Sequence, residues 1–328
     1  MKKKVAIIGS GVSGLTVANL LKKNSDFEVM VYEREKTLTL DEGYGIQLTP
    51  NSISILNKIG FSNIDNNKFF NPSKLNFYSI DNNKICDLNL TRFNTDKEKY
   101  TTLKRSTLIE FLKDNLFANN IRFGKEVKKV SKIKEKLLIN FTDNTNDLVD
   151  FIIISDGVFS RTRSMIEKKA VKPSYNGSIA IRTIIKSQEE FNYESENISL
   201  IMLPNAHIVV YPINKKNEFN LVCIVRQKSF LNKDIHSIIK KEILSQNQNL
   251  ENLFKGRLES WPIYVTKKPS KSIYEKLFYL GDSFYTFPPA MAQGASQSIE
   301  GANELFNLLS DDRKEIQNIY FKKRLKRT

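Results

Sequence analysis

Near its start the sequence reads Val5-Ala6-Ile7-Ile8-Gly9-Ser10-Gly11-Val12-Ser13-Gly14, an apolar run that leads into three closely spaced glycines. The continuous β-branched and apolar run is typical of a parallel strand that is buried on both faces. Gly9 permits a tight turn, Gly11 lets the backbone approach a pyrophosphate, and Gly14 allows the next helix to pack closely on the strand. The segment therefore predicts a strand, a turn and a helix whose N-terminus faces phosphate.

A second strand and an acidic residue complete this pattern. Residues 27–32 form another apolar run, and Glu33 follows it, 19 residues after Gly14. An acid at this distance can accept hydrogen bonds from ribose hydroxyls. Ser13 in the turn and Arg34 beside the acid are further candidate cofactor-binding residues. The pattern predicts a dinucleotide site, but it does not distinguish NAD from FAD.

Composition indicates a globular protein with a basic surface. The chain has 328 residues, 40% of them hydrophobic, which is enough for a large buried core. Lys and Arg exceed Asp and Glu by 51 to 36, but they are spread along the chain, which favours a solvated surface over a nucleic-acid partner. Only residues 321–327 form a dense basic run. We expect a frayed, solvated tail there, with peripheral contact to anionic lipid as the less favoured alternative.

Cysteine usage and hydropathy favour a cytoplasmic protein. Cys86 and Cys223 are isolated and lack metal-ligand spacing, so we expect neither a disulfide framework nor a metal site. The glycines after residue 8 interrupt the first apolar run, which argues against a signal peptide. No apolar run approaches the length of a membrane span, so we expect no transmembrane segment.

Two later segments each deliver an aspartate from a strand to a turn. The first reads Phe151-Ile152-Ile153-Ile154-Ser155-Asp156-Gly157, and the second contains Leu277-Phe278-Tyr279-Leu280-Gly281-Asp282. A proline-bearing loop with Pro289 follows the second aspartate, and Gly294-Ala295-Ser296 then opens a helix. The first N–H groups of a helix are free donors with positive potential. Taken alone, Asp156 could equally cap the next helix.

These segments resemble the Asp-Gly and Gly-Asp motifs of the FAD-dependent aromatic hydroxylases, which are single-component flavoprotein monooxygenases. The resemblance implies that FAD is the resident cofactor. It places Asp156 near the FAD pyrophosphate, with a link to NAD(P)H use, and Asp282 at the ribitol hydroxyls. It also directs the N–H groups of Gly294, Ala295 and Ser296 to the N1 and C2 carbonyl edge of the flavin, where they stabilise the reduced state.

Other segments resemble the branch of this family that contains salicylate hydroxylase. They are residues 43–51, 104–108, 175–182, 207–213 and 261–264. The resemblance implies that Gly45 and Gln47 lie beside the flavin, that Arg105 at a helix start reaches the cofactor, and that Val127 contacts adenine through its backbone. The family commonly has Ala-Ala-His after Gly-Asp, whereas this chain has Ser283-Phe284-Tyr285.

The fold expected from these features is α/β, with a Rossmann-like FAD-binding domain of the aromatic hydroxylase type (GR2) interleaved with a mixed β-sheet substrate domain. We assign residues 1–71, 101–170 and 269–328 to the first domain. Residues 72–100, which read as a β-hairpin around a turn at 81–83, and residues 171–268 form the second.

The function implied by the resemblance is hydroxylation of a small aromatic substrate, with NADPH or NADH as transient reductant and dioxygen forming a flavin C4a-hydroperoxide. Pro289 is the candidate for lining the flavin C4a side, and Arg182, His207 and Tyr211 are candidates for binding an anionic or phenolic substrate. Each has a non-catalytic alternative. Pro289 could merely shape its loop, and Arg182 could form a surface or interdomain ion pair. His207 could be structural or solvated, and Tyr211 could belong to the core. A hydroxylase of quinone precursors or lipids, suggested by the basic tail, and a FAD-binding member that has lost hydroxylation are the alternative functions.

Overall fold

The computed structural model describes residues 1–38, 40, 44–168, 172–186, 193–230, 234–266, 268–289, 292–311 and 314–328. In chain order, its strands are β1 (Lys3–Ile8), β2 (Phe27–Tyr32), β3 (Gly45–Leu48), β4 (Phe69–Phe70), β5 (Lys74–Tyr78), β6 (Lys84–Asn89), β7 (Thr101–Lys104), β8 (Ile121–Arg122), β9 (Val127–Ile133), β10 (Lys136–Phe141), β11 (Asn146–Val149), β12 (Phe151–Ile154), β13 (Ser174–Ile185), β14 (Ile198–Met202), β15 (Ala206–Pro212), β16 (Phe219–Arg226), β17 (Glu259–Val265) and β18 (Leu277–Tyr279). Its α-helices are α1 (Val12–Lys22), α2 (Pro50–Asn57), α3 (Arg105–Asp114), α4 (Arg161–Ile166), α5 (Ile235–Ile239), α6 (Gly294–Ser310) and α7 (Ile316–Leu325).

A parallel five-stranded sheet in the order β18-β12-β1-β2-β8 forms the first core. Its central strands are apolar throughout because both faces are covered. Ile7 and Val31 pack beneath α1 and α6, whereas Ile8 and Ile152 face the antiparallel sheet β11-β10-β9. This two-sided burial explains the continuous apolar run at the start of the sequence.

A mixed seven-stranded sheet in the order β17-β13-β16-β15-β14-β5-β6 forms the second core. Only its β14–β5 pair is parallel, and the predicted hairpin of residues 72–100 supplies β5 and β6. One face packs on α5 and on the helical turns that follow it. The other face meets the small sheet β3-β7-β4, where the Gly45 N–H donates to Asn220 Oδ1 at 2.7 Å.

The predicted α/β class, with a parallel sheet and a second mixed sheet, is confirmed by these two cores. All strands of the mixed sheet come from residues 72–100 and 171–268, and the other sheets draw on residues 1–71, 101–170 and 269–328. This membership supports the division into two interleaved domains, which stays our proposal. The boundary at 170/171 lies outside the described residues.

The expectation of a frayed C-terminal tail is wrong. Most of the basic run 321–327 lies in α7, which packs against α6. Tyr320 is buried at the edge of the parallel sheet, and the Arg324 guanidinium, only 5% exposed, donates to Gln297 O at 3.1 Å and to Gln297 Oε1 at 2.8 Å. The aromatic and arginine side chains thus anchor the segment while its lysines stay in water. Within the described part of the chain, no helix has the length and apolar character that crossing a bilayer requires.

Candidate functional site: the meeting point of the glycine and aspartate motifs

The glycines after β1 differ in what surrounds them. Gly9 has a φ of +104°, and a Cβ there would lie 2.6 Å from Ser155 O, so only glycine fits. A Cβ on Gly14 would lie 2.1 Å from Gly9 O, which confirms the close packing of helix on strand. Gly11 has nothing within 4 Å of a Cβ position. The space beside Gly11 leaves room for a pyrophosphate.

Glu33 closes the nucleotide turn from the end of β2. Its Oε2 accepts hydrogen bonds from Ser10 N at 2.9 Å and from Ser10 Oγ at 2.7 Å. The carboxylate is therefore held at the turn, where its predicted contact with ribose stays a prediction. Arg34 is exposed and pairs with Glu35 at 3.1 Å, so the structure does not bring its side chain to the turn.

The first and last cofactor motifs touch each other directly. Gly281 has a φ of +64°, and a Cβ there would lie 2.6 Å from Ser13 Oγ. Ser13 is buried by this contact, and α1 packs along α6. The Gly-Asp segment therefore completes the same edge of the parallel sheet that the glycine-rich turn begins.

Asp156 lies behind Gly9 with one oxygen unused. A Cβ on Gly9 would approach Asp156 Cα at 3.0 Å, and Asp156 Oδ2 accepts from Thr162 N at 3.3 Å in the first turn of α4. The structure thus shows the helix-capping contact. Asp156 Oδ1 is buried and has no hydrogen-bond partner in the described ranges of the chain, and burial raises the pKa of this carboxyl. A buried acceptor without a donor fits a ligand hydroxyl or N–H group at this position.

Asp282 and Arg105 interact electrostatically at the same edge. Burial raises the pKa of Asp282 to about 6, and the Arg105 charge opposes that rise. Arg105 begins α3, and its N–H donates to Tyr44 O at 2.9 Å. The two charged residues are therefore close to each other, and the predicted contacts of Asp282 with the ribitol and of Arg105 with the cofactor stay predictions.

The start of α6 supplies a helix N-terminus that no side chain of the described residues caps. Ala295 and Ser296 lie in its first turn, and Ser296 Oγ accepts from Thr49 N at 3.3 Å, which ties the turn to the end of β3. Gly294 has open space beside it. Pro289 precedes this turn, and its carbonyl accepts from Ala292 N at 2.9 Å. Uncapped N–H groups suit the electron-rich N1 and C2 carbonyl edge of a flavin.

The Ser283-Phe284-Tyr285 departure is explained by packing. Ser283 Oγ donates to Ile154 O at 2.6 Å and so links β18 to β12. The Phe284 ring is buried 5.9 Å from the Phe321 ring of α7. The Tyr285 ring packs edge-on against the Phe287 ring, with the two ring centres 5.0 Å apart. Ser283 therefore holds two strands of the parallel sheet together, and Phe284 packs against the C-terminal helix α7.

Gln47, Gly45 and Val127 occupy three different settings. Gln47 lies on β3, and its Oε1 accepts a hydrogen bond from the Tyr100 hydroxyl at 2.7 Å. Gly45 is required by packing, because a Cβ there would lie 2.6 Å from Asn220 Cβ. Val127 is half-buried at the start of β9. Their contacts with FAD stay predictions, and the quoted Gly43 lies outside the described residues.

The three candidate substrate residues share one face of the mixed sheet. Their neighbours Ile181, Ile208 and Val210 point into the core on the opposite face, so Arg182, His207 and Tyr211 point toward the β3-β7-β4 side. The Arg182 guanidinium lies 5.9 Å from the centre of the Tyr44 ring and 5.8 Å from that of Trp261.

Arg182 carries the least satisfied polar group on this face. Its Nε is buried and has no hydrogen-bond partner among the residues that the structure describes, and burial lowers the pKa of the guanidinium. The Tyr211 hydroxyl lies near Arg182 and Gln47, and burial raises its pKa so that it stays protonated at neutral pH. His207 pairs with Ile224, farther along the sheet, and burial lowers its pKa. The structure thus brings Arg182 and Tyr211 together and leaves His207 at the side.

The sequence interpretation missed Arg163, Tyr44 and Glu259. Arg163 is 3% exposed, pairs with Glu167 at 2.9 Å and donates from Nη1 to Ser283 O at 2.7 Å, so it joins the two aspartate segments. Arg163 lies in α4, the helix that follows the Asp-Gly segment, and this nearness was the available signal. Tyr44 and Glu259 carried no such signal in the sequence, because their contacts bridge distant parts of the chain.

Known proteins identify the cofactor of this site. A family model described as "FAD binding domain" matches residues 2–315. The chain belongs to that family. It is 24% identical over 323 residues to 3-amino-4-hydroxybenzoate 2-monooxygenase of Streptomyces cremeus, covering 93% of this chain and 78% of the relative. It is 21% identical over 347 residues to salicylate hydroxylase of Pseudomonas putida, covering 96% and 78% of the two chains.

Solved structures share the whole fold. HpxO of Klebsiella pneumoniae, in complex with FAD and uric acid, has a TM-score of 0.88 and 18% identity, covering 99% of this chain and 85% of that one. The 2,6-dihydroxypyridine-3-hydroxylase of Arthrobacter nicotinovorans has a TM-score of 0.81 and 15% identity, covering 99% and 89%. The predictions of family, of FAD as cofactor and of a FAD-dependent monooxygenase are confirmed.

Proposed function

We propose that this FAD-dependent monooxygenase hydroxylates a small aromatic substrate that carries an acidic group, with NADH or NADPH as the reductant. The observation that carries the proposal is the buried, unpartnered Nε of Arg182 on the sheet face that meets the cofactor motifs. A buried guanidinium without an anion leaves hydrogen-bonding capacity that a carboxylate or phenolate of the substrate would satisfy.

The relatives support an aromatic acid as the substrate class. The names of the two relatives give a hydroxybenzoate and salicylate, each an aromatic ring with a carboxylate. Together with the unpartnered Nε of Arg182 in the described part of the chain, these names favour an aromatic carboxylate over a neutral lipid.

The residues of this chain would divide the work as follows. Arg182 binds the substrate anion, and the Tyr211 hydroxyl donates to a ring substituent. Pro289 and the start of α6 border the flavin, which when bound supplies the reducing equivalents and the activation of dioxygen. The uncapped N–H groups at Gly294, Ala295 and Ser296 stabilise negative charge on the ring system. The mixed sheet covers the reacting ring and excludes water from it.

We further propose that the protein works in the cytoplasm with a reductant that binds transiently. Support comes from the free thiols of Cys86 and Cys223, one exposed and one buried. Cell fractionation followed by detection of the protein tests the location, and recovery with a membrane or secreted fraction would contradict it.

The test begins with the purified protein. We expect a yellow, FAD-loaded protein whose NADH or NADPH oxidation is stimulated by some members of a panel of aromatic acids, with hydroxylated product formed. Protein that cannot be loaded with FAD would refute the site. Stimulation by quinone precursors alone would favour the lipid alternative, and loaded flavin with only peroxide as product would favour the alternative without hydroxylation.

A further inference from the structure

A buried arginine of the C-terminal helix contacts the first turn of α6. Arg324 on α7 is 5% exposed, and its Nη2 donates to Gln297 O at 3.1 Å and to Gln297 Oε1 at 2.8 Å. The Gln297 N–H in turn donates to Gln293 O at 2.8 Å, which is the bond that closes this turn. Arg324 therefore holds the residue that completes the turn whose remaining N–H groups are proposed above to border the flavin.

The side of α6 that faces α7 has room for this guanidinium. Gln297, Gly301 and Glu304 follow one another at spacings of four and three residues, so they lie on one side of the helix. A Cβ on Gly301 would lie 3.3 Å from Arg324 Nε and 3.4 Å from Arg324 Cζ, which is a tight contact. The glycine thus lets the planar guanidinium lie close to the helix backbone.

The positive charge of Arg324 is only partly balanced by its ion pair. Glu304 Oε2 lies 3.7 Å from Arg324 Nη1, but Glu304 Oε1 lies 3.6 Å from Lys323 Nζ, and Glu300 pairs with Arg327 at 3.3 Å. In these ion pairs two carboxylates serve three cations. The Lys323 and Arg327 side chains are 51% and 57% exposed, whereas that of Arg324 is 6% exposed. Salt and water screen a buried charge much less than an exposed one.

We propose that Arg324 is a positioning residue of the flavin site, which holds the first turn of α6 in place and adds its charge to the positive potential of that helix terminus. Arginine suits this task, because its fork of donors binds the backbone and the side chain of Gln297 together while its charge is permanent. A positive charge behind this turn favours reduced flavin, which is negative at its N1 and C2 carbonyl edge. The inference rests on the proposed function, because it assumes that the flavin edge lies at the start of α6.

The test measures the two-electron reduction potential of the bound flavin and the Kd for FAD. Arg324→Gln removes the charge, and Arg324→Lys keeps the charge but loses the fork of donors. Lys323→Gln is the matched control, because it removes a neighbouring cation of α7 that pairs with the same Glu304 but is exposed. Arg324→Met is a second neutral variant that replaces Arg324→Gln if the latter does not fold.

We expect Arg324→Gln to lower the preference for reduced over oxidised FAD about threefold to tenfold, the range for one charge at a partly buried helix terminus. For a two-electron couple this equals a shift of about 14–30 mV to more negative potential. Arg324→Lys should restore most of the potential, and Lys323→Gln should leave the potential and the Kd unchanged. A raised Kd for FAD in both arginine variants, with an unaltered potential of the flavin that stays bound, would show a merely structural role and overturn the proposal.

A second pair of variants separates this inference from the proposed function. Among the described residues, nothing lies within 4 Å of a Cβ on Gly294, so Gly294→Asp and Gly294→Asn can be compared as charged and neutral side chains. If the flavin edge lies at this turn, Gly294→Asp should have the more negative potential, or should lose FAD that Gly294→Asn retains. Loss of FAD from both folded variants would also support that position.

The two failures then differ. Equal potentials in the two Gly294 variants would refute the proposed position of the flavin, and the inference with it. A difference between these variants, together with an unchanged potential in Arg324→Gln, would refute the role of Arg324 alone. The circular dichroism spectrum of each variant establishes that the protein is folded.

Discussion

Replacement of Gly281 by alanine should weaken the protein through two separable effects. At a φ of +64°, an alanine costs about 1 kcal/mol more than glycine. The new Cβ would also lie 2.6 Å from Ser13 Oγ and 2.9 Å from Ser13 Cβ, and such overpacking costs about 1–3 kcal/mol. We therefore expect a loss of about 2–4 kcal/mol in the free energy of unfolding.

The second effect is tested with Ser13→Gly, which removes both contacting atoms. That change alone should cost about 1 kcal/mol, because it places glycine inside α1. In the double variant the overpacking is absent, so the measured loss should be smaller than the sum of the two single losses by about 1–3 kcal/mol. Urea unfolding of the three variants, with FAD saturation measured in parallel, gives these values. Additive losses would refute the direct contact between the two cofactor motifs.

Three further predictions concern other parts of the structure. Because Asp282 has its pKa raised to about 6 from a usual 3.8, the native state holds its proton more tightly, and the free energy of unfolding of the FAD-free protein should fall as pH rises from about 4 to 6. Asp282→Asn should flatten this dependence, and an unaltered pH profile would contradict the burial of the carboxyl. Tyr320→Ala should cost about 3–5 kcal/mol in urea unfolding if α7 is packed as described, whereas a frayed tail predicts no loss. Tyr211→Phe should raise KM for the hydroxylated substrate several-fold with unchanged FAD content, and an unchanged KM would remove the tyrosine from the substrate site.

Local patterns were sufficient to predict the strand, the glycine-rich turn and the helix near the start of the chain. Gly9, Gly14 and Asp156 have roles that follow from the few residues around them, because a turn after a buried strand imposes the same demands wherever it occurs. The parallel sheet was predictable for the same reason, since burial on both faces requires continuous apolar strands. The sequence also suggested Arg182 through resemblance of its strand.

Long-range pairings could not be predicted. The surroundings of Arg182 include the ring of Tyr44, which precedes it by more than a hundred residues, and Glu259, which lies opposite it on another strand. No spacing rule connects these positions, and only the β13–β17 register reveals that Glu259 faces the arginine. The prediction for the C-terminal run was wrong because the sequence shows its charges but not its packing. Arg324 donates to Gln297 on α6, and this contact is visible only in the structure.

The contact between Ser13 and Gly281 also determines when the cofactor site can form during synthesis of the chain. The glycine-rich turn is made before its partners, so helix α1 lacks the cover of α6, and β12 lacks its neighbour β18, until residues 277–310 have followed. Until then the face of α1 that packs on α6 is uncovered, and the cofactor has no finished site to bind. A motif that reads as self-contained in residues 5–14 is completed only after residues 277–310 have been made.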